Sequence, residues 1–241
     1  MKQRLLSLLL VGLACSSPKP IDPDIWRPQP GQESDDTIPG PLKNFGPFDS
    51  FADALKAACP LILSKPNASV VHLLDRDPQL AARISTEYCA WLYLTPESKY
   101  ELSMLTDLAD TGSALNGMTN CALPKYVDDP RYPPGSIKYI FILHNHPFAR
   151  EISEKDIYFA AAMANAHELT VTTKDKNVSL AVIAFFSNSR DPQNPTCDGF
   201  YQYIPATREL MKWTHSRGAW EGTKYGIVVW RTSSQFTIQR E

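Results

Sequence analysis

The chain has 241 residues, room for one substantial domain or two small ones, and its 43% hydrophobic share is that of a chain that buries a core. Its net charge of −2, with lysine and arginine scattered rather than striped among aromatics, excludes the electrostatic footprint of a nucleic-acid binder. Twenty prolines stand against eleven glycines, and eight of those prolines fall between residues 16 and 47.

The N-terminus reads as a targeting segment over residues 1–15. Lys2 and Arg4 form a positive start, Leu5 to Leu13 an apolar stretch, and Ala14 a small residue before Cys15. The stretch is too short to span a bilayer, which takes roughly 20 apolar residues. Its ending, Val11-Gly12-Leu13-Ala14-Cys15, resembles a bacterial lipoprotein signal, in which the cysteine is lipidated and becomes the mature N-terminus. That resemblance implies export to the cell envelope and membrane attachment through a lipid on Cys15; Ser16, which is not an inner-membrane retention aspartate, favours the outer membrane. Residues 16–47 are proline-rich and polar, with almost no periodic apolar positions, and read as a semi-extended tether. Trp26 and Phe45 are its candidates for docking on a domain.

From residue 48 to 241 the pattern is that of a folded domain. Phe51, Ala54, Leu55 and Ala58 lie at helical spacing, and Pro60 is expected to end that helix. Two strands follow, over 84–94 and 100–106, joined by a turn at Pro96-Glu97-Ser98-Lys99. Residues 107–136 form a long loop, which in a compact domain is usually functional. Lys138 to Leu143 is a short continuous apolar run of the kind a central strand shows, 153–168 has a helical apolar face, and 178–186 reads as another buried strand. The last third is expected to hold a helix over 208–215 and strands over 225–231 and 236–239. Helices alternating with strands predict an α/β fold, a mixed sheet flanked by helices. Besides Cys15 there are four cysteines, Cys59, Cys89, Cys121 and Cys197. In an oxidising compartment they allow up to two disulfides, in three connectivities, and none forms a C-x-x-C pair.

The chemistry is concentrated in His144-Asn145-His146-Pro147, which directly follows the apolar run. In extended backbone, residues i and i+2 project to one side, so the two imidazoles can converge on one cation. Pro147 ends ladder pairing and turns the chain away. Ten residues on, Asp156 opens the predicted helix and can supply a third ligand. Two histidines and a carboxylate with an open fourth position are what a catalytic Zn2+ requires.

His144-x-His146-Pro147 followed by Ser153-x-x-Asp156 resembles the signature of the JAMM/MPN (JAB-like) zinc metalloproteases, over roughly residues 48–190. The resemblance implies a JAB/MPN-like, cytidine-deaminase-like three-layer sandwich. It implies zinc on His144, His146 and Asp156, and a glutamate on an earlier strand, here Glu87, that handles the proton of the attacking water. Ser153 would hydrogen-bond the developing oxyanion, and the partner would be a peptide or protein substrate cut at a peptide or isopeptide bond. Six residues separate His146 from Ser153 here, one fewer than the pattern commonly has, so the reach of Asp156 depends on how the turn closes.

The plainer readings are a capping box for Ser153 and Asp156, an ion pair with Arg83 for Glu87, and ordinary histidines at 72, 167 and 215. HNH nucleases are set aside for want of a basic surface, and zinc deaminases for want of H-x-E and P-C-x-x-C. The rival function is a catalytically inactive module that binds peptides or serves envelope assembly.

Overall fold

The computed structural model describes residues 22–28, 36–109, 121–216 and 219–241. The targeting segment with Cys15 and residues 110–120 of the long loop lie outside them. The apolar run becomes β5 (Lys138–Asn145), and the apolar stretches around it become β2 (Cys89–Leu94) and β8 (Ala181–Phe186). β2 and β8 are buried at every position and β5 at its last six, because both faces of the sheet are covered here. Alternation divides the side chains. Ala90, Leu92, Phe141, Leu143, Ile183 and Phe185 pack toward α1 (Phe51–Leu63), whereas Trp91, Ile142, Val182, Ala184 and Phe186 pack toward α3 (Glu154–Ala166).

The three strands are the centre of an eight-stranded mixed sheet of order β12-β11-β10-β9-β8-β5-β2-β3. β3 is Tyr100–Leu102, β9 Gly199–Ile204, β10 Glu209–Ser216, β11 Ala219–Thr232 and β12 Gln235–Arg240. β5 and β8 are parallel, with α3 lying in the connection between them, and the other pairings are antiparallel. The expected mixed sheet with flanking helices is therefore present over β2, β5 and β8. Among the described residues strand outweighs helix, and the α-helices are few.

Several expected elements differ. Pro60 does not end α1, which runs on to Leu63. Pro60 sits on the exposed face, where the carbonyl it leaves without a donor meets solvent, while Ala58, Cys59, Ile62 and Leu63 are buried on the other side. The strand expected from 84 starts only at Cys89. Residues Pro78–Ile84 form α2, capped by the Asp77 carboxylate on the Leu80 amide (2.8 Å) with Pro78 at the first helical position. The stretch 178–186 is broken at Leu180, its first part, β7 (Asn177–Ser179), pairing with β6 (Thr170–Thr172). Residues 208–215, expected to be helical, form β10, which is paired on both edges by β9 and β11; sheet pairing overrides a weak helical preference.

The proline-rich stretch is corrected too, over its described residues. Ile25, Ile38, Leu42 and Phe45 are buried, and β1 (Thr37–Pro39) pairs in parallel with β4 (Tyr126–Asp128). The Leu42 amide donates to the Leu102 carbonyl (2.6 Å) and the Leu105 amide to that of Asp24 (2.9 Å). Residues 22–28 and 36–47 are thus spent covering the β3 edge of the sheet, the place where unpaired backbone groups invite aggregation. Lys65 holds the start of this cover through Asp22 (2.9 Å) and Asp24 (2.6 Å). Phe45 docks as its candidacy suggested, whereas Ile25, Ile38 and Leu42 escape sequence reading because, without strand or helix periodicity, they dock one at a time.

The cysteines form two disulfides, Cys59–Cys197 and Cys89–Cys121, selecting one of the three connectivities. Both fit an oxidising environment. No helix among the described residues is long and apolar enough to cross a membrane.

Candidate metal centre

β5 carries its last buried residues to the carboxyl end of the parallel pair. There His144 shares the α3 side with Ile142, and the ladder reaches one residue further, the His146 amide donating to the Phe185 carbonyl (2.8 Å). Asp156 arrives from the first turn of α3. Ser153 caps that helix: its hydroxyl accepts from the Asp156 amide (3.2 Å), and its amide and hydroxyl donate to Asp156 Oδ2 (2.8 and 2.7 Å). The shortened loop closes through Ala149, held in the left-handed region at φ 54°, and its Arg150 carbonyl accepts from His146 Nδ1 (2.7 Å).

The three expected ligands come together. His144 Nε2 and His146 Nε2 are 3.0 Å apart, His146 Nε2 lies 3.2 Å from Asp156 Oδ2, and His144 Nε2 lies 3.3 Å from Asp156 Oδ1. Ligands about 2.0–2.1 Å from a tetrahedral zinc stand roughly 3.3 Å from one another. The two histidines meet different oxygens of Asp156; with one ligand atom taken from each residue, the three lie within 4.8 Å of one another, close enough to hold a metal ion. The Arg150 carbonyl accepts from His146 Nδ1, which leaves Nε2 as the nitrogen turned to the site, and His144 is held in turn by a hydrogen bond to the backbone of Ile183. Two ring nitrogens facing each other beside a carboxylate are satisfied by a shared proton or by a metal cation.

Electrostatics point the same way. Burial would raise the Asp156 carboxyl, but His144 and His146 outweigh it and hold it well below the usual range. Burial depresses His144. It would depress His146 as well, yet the carboxylates of Asp156 and Glu87 and the Arg150 carbonyl carry that ring up to about 9. The site attracts positive charge.

Glu87 stands in the segment before β2, not in a strand, and lines the same cleft of about 390 Å3 as His144 and Asp156. Burial foremost, with the Asp156 charge, pushes its carboxyl up to about 8, against the pull of His146, the Cys121 backbone and Lys155. Arg83 is exposed. Ser153 does not offer its proton to the cleft, since its hydroxyl donates to Asp156, and its place is that of a residue positioning the ligand. Cys89, the register partner of His144, joins Cys121 along the cleft. Cys59–Cys197 lies on the α1 side. His167 is packed, stacking on Tyr139 with ring centroids 3.9 Å apart.

Sequence reading passes over Asn145. Its side chain turns to the opposite face from the two histidines and ties three strands of backbone together. Oδ1 accepts from the Tyr88 amide (2.7 Å), and Nδ2 donates to the carbonyls of Ala68 (2.7 Å) and Thr86 (2.9 Å). It thereby pins both neighbours of Glu87. The signal was available: an amide side chain at the hidden position of a buried strand must satisfy both of its ends. Asn145→Ala strands three backbone groups and is expected to cost about 3 kcal/mol in denaturant unfolding.

Compared with known protein families, curated proteins and solved structures, the chain matches none.

Proposed function

We propose that this is an exported, lipid-anchored hydrolase of JAMM type, which cuts a peptide or isopeptide bond at a zinc ion held by His144, His146 and Asp156. The observation that carries the reading is the cluster of His144, His146 and Asp156, one ligand atom from each lying within 4.8 Å of the others, which opens onto a cleft that also contains Glu87. Zinc in such a site supplies Lewis acidity toward a water and a carbonyl oxygen. Asp156 contributes the ligand charge, and Ser153 aims it. Glu87 is the group placed to take a proton from water on its carboxylate and return it to the departing nitrogen, and a carboxyl lifted out of its ordinary range is suited to both halves of that exchange. The resemblance to the JAMM signature and the two disulfides support the same reading, as does the signal-like start. The peptide-binding module remains the rival.

The test is digestion of a mixed peptide library by the full chain, read by mass spectrometry. Zinc-loaded wild type is expected to give a defined set of cleavages. Glu87→Gln is expected to lose them by at least about a hundredfold while keeping close to one zinc per chain. Zinc retention without cleavage by wild type would favour the binding module, and absence of stoichiometric zinc would end the metal reading altogether.

A further inference from the structure

The cleft beside the ligands has a composition that the metal chemistry does not explain. Ile142 and Val182, register partners on β5 and β8, form its floor and are 2% and 1% exposed; Leu123, 5% exposed, closes one side. Phe159 and Tyr158 of α3 form another wall, and Ala122 lies at the exposed rim. Among the described residues the charged lining groups are Glu87, Asp156 and Lys155, so charge is gathered toward the ligands while the rest of the described lining is apolar. The wall is braced from behind. Tyr158 packs on Trp230 (5.6 Å) and Phe236 (5.1 Å) and donates to the Ser234 carbonyl (2.9 Å), which gives the β11–β12 hairpin a part in shaping the cleft.

We propose that this cleft is a side-chain pocket for an apolar residue of leucine or phenylalanine size, adjoining the bond presented to His144, His146 and Asp156. The inference rests on the zinc reading above and adds its substrate class. About 390 Å3 is the small end of ligand-pocket volumes and suits one residue with its backbone rather than a folded partner. A charged side chain whose end rests on the Ile142–Val182 floor, away from Glu87, Asp156 and Lys155, would lose its hydration without gaining a partner there. Ile142 lies two residues before His144 on the same side of β5, so a backbone whose carbonyl meets the ligands drops its adjoining side chain directly onto that floor.

The test uses amino-acid hydroxamates, which bind zinc through their own two oxygens, titrated calorimetrically into the zinc-loaded full chain. N-acetyl-phenylalanyl and N-acetyl-leucyl hydroxamate are expected to bind about 10- to 100-fold tighter than the N-acetyl-glycyl compound, the range set by burying one such side chain. N-acetyl-glutamyl hydroxamate is expected to bind no tighter than glycyl. Ala122→Trp, which fills the rim, is expected to bring the phenylalanyl compound down to the glycyl one, with zinc content measured on the same sample. Equal zinc-dependent binding of glycyl and phenylalanyl compounds would overturn the pocket assignment alone. Binding of none of them, with zinc absent from the chain, would overturn the metal reading and the pocket together.

Discussion

Zinc added to the metal-free full chain is expected to raise its Tm by about 10 °C, and the same zinc is expected to leave His146→Ala where it was. At a free zinc concentration about a thousandfold above Kd, binding to the folded state alone stabilises by about 4 kcal/mol, and a domain of this size moves roughly 2–4 °C per kcal/mol. The direction follows from the cluster. His144 Nε2 and His146 Nε2 are 3.0 Å apart with the Asp156 carboxylate across from both, so a cation needs only small side-chain adjustments to be held by all three. A plain structural reading exists for the same contacts: a protonated His146, its ring carried up to about 9, paired with Asp156. That reading gives no zinc-dependent shift, so the melting curves separate the two. His167→Ala is the control. It removes the ring stacked on Tyr139 and is expected to lower Tm, yet the zinc shift is expected to remain in full, because His167 lies past the far end of α3 from Asp156. A zinc shift retained in His146→Ala would place the metal elsewhere.

How much of this was legible before any coordinates depends on whether a residue's role was local. His144, His146 and Asp156 were readable because strand alternation and a helix start fix where neighbours in sequence point, and the ten-residue interval leaves little freedom. β5 and β8 were readable for a related reason, since a strand buried on both faces writes itself as an unbroken apolar run, and α3 through its apolar helical face. β10 was not. Glu-Leu-Met-Lys-Trp has no strong local preference, and its state is decided by β9 and β11 pairing to either side. Nor, apart from Phe45, was the cover over the β3 edge, where Ile25, Ile38 and Leu42 are spaced irregularly and buried by contacts across the sequence. Glu87 was found through a motif and misplaced in a strand, since the chain between α2 and β2 is held by Asn145, a residue 58 positions away. Ser153 shows the limit of reading by motif: the residue is where the pattern puts it, but its proton is committed to Asp156.

The two disulfides, removed separately, are expected to fail in different ways, and this ties stability to the site. Cys59 and Cys197 are 138 residues apart, so opening that loop in the unfolded chain costs about 5 kcal/mol of stability, as much as many domains possess in total. The double variant Cys59→Ser/Cys197→Ser is therefore expected to lose roughly 10–20 °C in Tm, with its hydroxamate preference intact in whatever remains folded. Cys89–Cys121 closes a loop of only 32 and contributes less to global stability, about 3–4 kcal/mol. It is, however, part of the cleft. Cys89 pairs with His144, and the Cys121 backbone meets the Glu87 carboxyl, so Cys89→Ser/Cys121→Ser frees one wall and the partner of the proposed proton carrier together. Its expected signature is a smaller fall in Tm joined to loss of cleavage and of the phenylalanyl preference. The reverse ranking, or a Cys59/Cys197 variant melting within about 1 °C of wild type, would mean that the long-range bridge does not hold α1 to the sheet. Both bridges also bear on where the protein folds. A chain that draws about half or more of its stability from them, as these variants would show, folds securely only where cysteines are oxidised, which ties the protein to an oxidising environment independently of how the signal-like N-terminus is read.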